Sequence, residues 1–253
     1  MQKEIETLLT RARRLLDEMQ TAVRLTTYDR QGTCPIFYND SVFEIALPWA
    51  AIDRMQMSYV ERRMPLDPLL IDQLIALIPT LRGRTLVDVG AFSGATAMIL
   101  RHFLQPEHTH LIEPQNTLQD SLSMTILANA AETDTTLHQC IIDEADAEIA
   151  IGQYRPDRLS DIKYLRRNGG RFRAVALDSI DLGNVGLITL DYRNDKIYAL
   201  RGGLEMITRE RPFICVDISS GDLAEMRTFL EPLGYVDTPV GNQQAVFCPE
   251  PLK

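Results

Sequence analysis

Gly83-Arg84-Thr85-Leu86-Val87-Asp88-Val89-Gly90-Ala91-Phe92-Ser93-Gly94 is the stretch around which the chain is organised. Thr85 to Val89 is a short apolar run suited to a buried parallel strand. Gly90 ends it, and Gly94 opens an apolar-periodic segment, Ala95 to Leu104, that reads as a helix. A strand, a glycine turn and a helix together bring backbone N–H groups and a helix N-terminus toward a ligand. Roughly 20 residues further on, a second short strand, Thr109 to Ile112, ends in Glu113-Pro114, where a carboxylate accepts hydrogen bonds from ribose hydroxyls.

The spacing also says which nucleoside the turn suits. A pyrophosphate requires close backbone approach through a G-x-G-x-x-G turn. Here Phe92 stands where the second glycine would be, which disfavours a nicotinamide dinucleotide and an oxidoreductase. Asp88, two residues before Gly90, favours a cofactor carrying positive charge. S-adenosylmethionine combines adenosine with an ammonium-bearing amino acid and has no phosphate. The residues expected around it are Asp88, Gly90, Ala91, Phe92, Ser93 and Gly94 on the methionine side, and Glu113 with Pro114 at the ribose. Asp143 ends a third strand-like run (135–143), where it either reaches the adenine amino group or stays solvated.

The remaining chain gives the setting. Residues 2–26 carry Ile5, Leu8, Leu9, Leu15, Leu16, Met19 and Val23 at helical spacing, a stripe for packing on the main domain or for pairing two copies as a homodimer. Cys34 to Tyr38 and Ser41 to Ile45 flank Asn39-Asp40 as a hairpin. Met55, Met57 and Met64 with Trp49 read as core filling or as a lid over the acceptor. Asp67 and Pro68 start a helix that leads into the glycine-turn strand. Residues 152–173 read as irregular and hold Arg155, Arg158, Lys163, Arg166, Arg167, Arg171 and Arg173, a solvated loop or an attraction for an anionic acceptor. Strands over 186–191 and 212–218, helices over 195–209 and 221–231, and two terminal strands joined at Gly241-Asn242 complete five βα units and a hairpin.

Composition narrows the function classes. The net charge of −9 disfavours nucleic acid as main partner. The charged start, Met-Gln-Lys-Glu, lacks a signal-peptide core, no apolar run suits a membrane span, and the four scattered cysteines read as reduced thiols, so a cytoplasmic protein is expected. His102, His108, His110 and His138 lie away from the strand ends that bind ligands and read as structural or surface residues.

Several of these stretches together resemble the FkbM family of S-adenosylmethionine-dependent methyltransferases, from about Arg63 to Phe247. Val87-Asp88-Val89-Gly90-Ala91 is similar to its D-V-G-A-x-x-G turn, and Ile112-Glu113-Pro114 to its E-P motif. Leu127-Ala128-Asn129, Leu177-Asp178-Ser179-Ile180, Arg211-Pro212 and Leu233-Gly234-Tyr235 match further signals in order. Ile188 to Gly202 resembles I-K-I-D-V-E-G-x-E-x-x-x-L-x-G, but Arg193 replaces the glutamate and Asn194 the glycine.

The resemblance implies an α/β class I methyltransferase fold: a Rossmann-like seven-stranded sheet, parallel but for one strand, with helices on both faces. Residues 67–253 would form this domain and residues 1–66 an N-terminal helix and hairpin addition. It implies O-methylation of a hydroxyl on a sugar, glycan or secondary metabolite. Asp191 is then the candidate base or divalent-cation ligand, with Asp217 as companion, and Arg193 a candidate acceptor-binding residue. The altered stretch also leaves open a non-catalytic S-adenosylmethionine-binding or scaffold protein.

Overall fold

A computed structural model describes residues 6–7, 9–16, 19, 32–153, 159, 162–165, 172–190, 196–218, 223–240 and 244–251. The main sheet contains β3 (Thr85–Val89), β4 (His108–Ile112), β5 (Thr135–His138), β10 (Val185–Leu190), β11 (Phe213–Asp217), β12 (Tyr235–Val240) and β13 (Gln244–Pro249). Their order is β12-β13-β11-β10-β3-β4-β5. All neighbouring pairs from β11 to β5 are parallel, and β13 runs antiparallel to both β11 and β12. The strand order reverses between β3 and β10, which opens a crevice at their carboxyl ends.

Side chains alternate across this sheet, and so do its two cores. Leu86, Leu111, Leu187, Cys215 and Val246 pack with Ile71 of α2 (Pro68–Leu77), Met98 of α3 (Ala95–Leu104) and Leu122 of α4 (Asn116–Ala128). Their strand neighbours Val87, Ile112, Ile188, Ile214 and Phe247 pack with Ile197 of α5 (Lys196–Arg201), Ile207 of α6 (Leu204–Glu210) and Met226 of α7 (Leu223–Leu230). The helices therefore cover both faces, as expected from the uniformly buried strands β3 and β10.

The hairpin forms where expected, β1 (Cys34–Tyr38) against β2 (Ser41–Ile45), with Asn39 at φ 48° in its turn. It shares the α2–α4 core. Ala46 N–H donates to Thr125 Oγ1 (3.0 Å), and Asn129 Nδ2 donates to the Glu44 carbonyl (2.7 Å). Asp67 caps α2 by accepting from Leu70 N–H at 3.1 Å. The helical residues described between 6 and 19 are exposed, with Leu9, Leu15, Leu16 and Met19 all more than half accessible. Ile5, Leu8 and Val23 of the same stripe lie outside the described residues.

Four details differ from the sequence reading. The run 135–143 is two strands: β5 pairs with β4, whereas β6 (Ile141–Ile142) pairs with β9 (Phe172–Val175) in a separate four-stranded sheet that also holds β7 (Ala147–Gln153) and β8 (Ile162–Leu165), in the order β6-β9-β7-β8. The region read as irregular carries β7 (Ala147–Gln153) and β8 (Ile162–Leu165), an antiparallel pair whose backbone ladder leaves no mark in a charge count. The helix expected over 195–209 breaks at Gly202-Gly203 into α5 and α6. Met55 and Met57 are half-buried and Met64 is exposed, while α1 (Arg54–Arg62) buries Gln56, Tyr59 and Val60. The methionines thus do not fill a core, because the apolar side of this short helix falls on the other residues.

Candidate functional site

The crevice is built by the turn after β3. Gly90 (φ 87°) and Gly94 (φ 77°) take left-handed backbone conformations, and Phe92 (φ 50°) does so as well. A Cβ on Gly94 would also stand 3.1 Å from Leu122, so this position admits no side chain easily. Gly90 N–H and Ala91 N–H both donate to the Ile112 carbonyl (2.9 and 3.2 Å), and Gly94 N–H donates to the Ala91 carbonyl (2.7 Å). Phe92 N–H donates to Glu113 Oε2 at 3.2 Å. The donors of Gly90, Ala91, Phe92 and Gly94 are thus used within the protein. A turn so bonded is a poor cradle for pyrophosphate, which agrees with the reading of Phe92.

Glu113 lies at the end of β4 and is only 3% exposed. Its N–H donates to the His138 carbonyl, and Oε1 accepts from Gln115 N–H at 3.0 Å. The Gln119 side chain donates to the Glu113 carbonyl. Burial pushes the Glu113 carboxyl up to about 7, opposed by the Gln115 and Phe92 N–H groups and reinforced by the negative charge of Asp88. Asp88, on β3, is equally buried and accepts from the Thr189 hydroxyl across the β3–β10 pair. Two buried carboxylates thus repel one another at the switch point, and a cation bound beside them would relieve that repulsion.

Ala91, Ser93 and Pro114 are buried in this corner, and Phe92 is half-buried. Asp143 follows β6 and so does not end the third strand of the main sheet. Its N–H donates to the Val175 carbonyl, and its Oδ1 accepts from Glu144 N–H. Asp217 ends β11 and is half-buried. Asp191 and Arg193, and with them the altered stretch, lie outside the described residues, as do Arg155, Arg158, Arg166, Arg167 and Arg171 of the basic cluster. Among the described residues no three His, Cys, Asp or Glu side chains gather as a metal site.

Two buried polar residues escaped the sequence reading. Lys196, the first residue of α5, is fully buried. Gln56 is fully buried on α1. Gln56 belongs to no motif, and Lys196 falls inside the Ile188 to Gly202 resemblance, at the pattern's second glutamate; a polar residue at a helix start reads as solvated unless its packing is known.

His108, His110 and His138 form a cluster that reaches the carboxyl end of β5, where the His138 carbonyl accepts from Glu113 N–H, and His102 stands apart against Phe43 and Phe103. His110 Nδ1 and His138 Nε2 share a hydrogen bond of 2.8 Å between stacked rings, and His108 bonds Thr136. Burial and then the charges of His138 and His108 lower His110 to about 4, against a raising influence of Asp181, and burial followed by His108 lowers His138. Unfolded imidazoles bind protons at higher pH than these, so stability is full above about 6.5 and is lost on acidification toward 4. After allowance for solvent at the pair, acidification from pH 7 to 5 should cost about 1–2 kcal/mol. Thermal melts of His138→Gln should show a smaller loss over that interval; an equal loss would place the acid sensitivity elsewhere.

No family model and no curated protein matches the sequence. Solved structures do. The methyltransferase FkbM of Methylobacillus flagellatus KT is 17% identical with a TM-score of 0.52, over 65% of this chain and 43% of that one. The chain therefore spans less than half the length of that protein. Precorrin-6y C5,15-methyltransferase of Geobacter metallireducens GS-15 is 12% identical with a TM-score of 0.43, over 70% of this chain and 85% of that one. TYW2 of M. jannaschii, solved in complex with AdoMet, is 11% identical with a TM-score of 0.43, over 85% of this chain and 84% of that one. At these identities the likeness is one of architecture, and the sheet order, the single antiparallel strand and the match to the FkbM structure give this chain the class I methyltransferase fold.

Proposed function

We propose that the protein is an S-adenosylmethionine-dependent methyltransferase acting on a hydroxyl of a sugar, glycan or secondary metabolite. The observation that carries this is the buried carboxylate pair, Asp88 and Glu113, on a turn whose N–H donors of Gly90, Ala91, Phe92 and Gly94 are already used. Such a site favours a nucleoside with positive charge and no phosphate. Glu113 would hold the ribose, its remaining lone pairs accepting from the hydroxyls. Asp88 and the 90–94 turn would hold the amino-acid end, and Asp143 would border the adenine.

The cofactor, when bound, supplies an electrophilic methyl group on a sulfonium. The protein's share is alignment of the acceptor oxygen with that methyl, worth several kcal/mol, and removal of the hydroxyl proton. Asp191 is assigned the proton, alone or with a divalent cation shared with Asp217, and Arg193 the attraction of an anionic acceptor. The replacement of glutamate and glycine by Arg193 and Asn194 favours one second reading, a protein that binds the cofactor without turnover.

Calorimetric titration with S-adenosylmethionine, S-adenosylhomocysteine and NAD tests the reading. Micromolar affinity for the first two and none for NAD is expected. No binding of either methyl-cycle ligand would refute it.

A further inference from the structure

The N-terminal segment carries an apolar face that stands open among the described residues. Every described residue between 6 and 19 is exposed, and Leu9, Leu15, Leu16 and Met19 are each more than half accessible. The turns are helical, with the Thr10 hydroxyl donating to the Glu6 carbonyl at 2.9 Å. A solitary helix of this length is marginal in water, and most of its stability must come from packing its apolar side.

The repeat says what that packing is. With Ile5, Ala12 and Met19 at position a of a heptad, Leu8, Leu15 and Ala22 fall at d. Leu9, Leu16 and Val23 then fall at e, so the a, d and e positions of successive heptads are apolar without exception. Glu4, Arg11 and Glu18 occupy g. Glu4, Ile5, Leu8, Glu18, Ala22 and Val23 lie outside the described residues and enter by sequence position alone. The stripe is about 100° wide, enough to cover an identical stripe on a second helix.

The flanking positions choose the direction. In a parallel pair g faces e, which would set Arg11 against Leu16 and Glu18 against Val23 of the second copy, a charge on an apolar group each time. Ala12 would also meet Ala12 and leave the seam thin. In an antiparallel pair a faces d, g faces g and e faces e. Ile5 then meets Ala22, Leu8 meets Met19 and Ala12 meets Leu15, so no layer sets small against small. In that same register Arg11 meets Glu18, and the two-fold axis repeats the ion pair on the other side. Leu16 meets its own copy on the axis.

We propose that residues 5–23 form a dimerisation helix, and that the partner of its apolar face is the same helix of a second copy of this chain, running antiparallel. The proposal goes beyond the methyl-donor reading and does not depend on it.

Sedimentation equilibrium of the full chain tests it. The parent should be a dimer at about 50 μM. Leu16→Glu sets two carboxylates face to face on the axis and should weaken association about 100-fold or more. In a parallel pair the same glutamate would meet Arg11, so unchanged or tighter association of Leu16→Glu would overturn the antiparallel arrangement. Arg11→Glu should weaken the dimer about tenfold, and Arg11→Glu with Glu18→Arg should restore it to within about threefold of the parent. A double variant as weak as Arg11→Glu alone would overturn the pairing. So would a parent that is monomeric at about 50 μM, which would return the stripe to its own domain, or one with the mass of four chains. Both Leu16 and Arg11 are exposed, so the variants should melt with the parent at a concentration where all are monomers.

Discussion

Gly202→Ala should cost about 3 kcal/mol or more of stability, a fall in melting temperature of about 6–12 °C, and should weaken S-adenosylhomocysteine binding at the same time. Gly202 sits in the break between α5 and α6, with its N–H bonded to the Tyr198 carbonyl and its own carbonyl accepting from Asp178 N–H. A Cβ there would stand 2.0 Å from the Asp143 carbonyl oxygen and 3.0 Å from its carbon. The obstacle is backbone, so no rotamer change relieves it. Nor is the helix break free to retreat, because both Asp178 oxygens accept from the Glu205 and Met206 N–H groups at 2.9 Å. The strand end carrying Asp143 is the part that must move. Gly203→Ala is the control: its Cβ would meet Leu177 side-chain atoms at 3.1 and 3.2 Å, which yield more easily, and a smaller loss is expected. Differential scanning calorimetry that finds Gly202→Ala within 2 °C of the parent would show that the strand end accommodates the methyl group.

Glu113→Gln should weaken S-adenosylmethionine by about 1.5–3 kcal/mol, roughly 10- to 150-fold, yet leave the unliganded protein as stable or more stable at pH 8. The two effects have one cause. The folded carboxyl, pushed up to about 7 by burial, holds its proton to higher pH than the unfolded chain does. Its contribution is therefore favourable below about 4.5 and is lost as pH rises through 7, so at pH 8 a neutral amide removes a buried charge. The amide loses the second acceptor for ribose and sets an NH₂ against the Phe92 or Gln115 N–H. Because the histidine pair weakens the fold over much of the same pH range in the opposite sense, melts at pH 8 isolate the Glu113 effect. Unchanged affinity by calorimetry would remove the ribose assignment.

The sheet and the turn were legible in the sequence because each rests on local signals: apolar runs for β3, β10 and β11, glycines where φ is positive, and Asp67-Pro68 at a helix start. The carboxylates Asp88 and Glu113 were legible for the same reason, since each directly adjoins such a signal. Gln56 and Lys196 were not. Their burial is decided by contacts far along the chain, such as that of Asp53 with Leu159, 106 residues away. The split at 139–140 was hidden because Thr135–His138 and Ile141–Ile142 both favour strand, and only their partners, β4 and β9, separate them.

The bond from Thr189 to Asp88 joins residues 101 apart, and β3 lies in the sheet between β4 and β10. During synthesis β3, β4 and β5 emerge together and pair locally, whereas the other wall of the crevice arrives only with β10. Until then β3 presents an open edge of apolar strand. At about 5–20 residues per second, that edge waits some seconds for its partner. Ligand affinity therefore appears late in the life of the nascent chain, and shorter translation products that stop before β10 would expose a sticky edge and bind nothing. The separation that makes the crevice also makes occupancy by its ligand a test of completed folding.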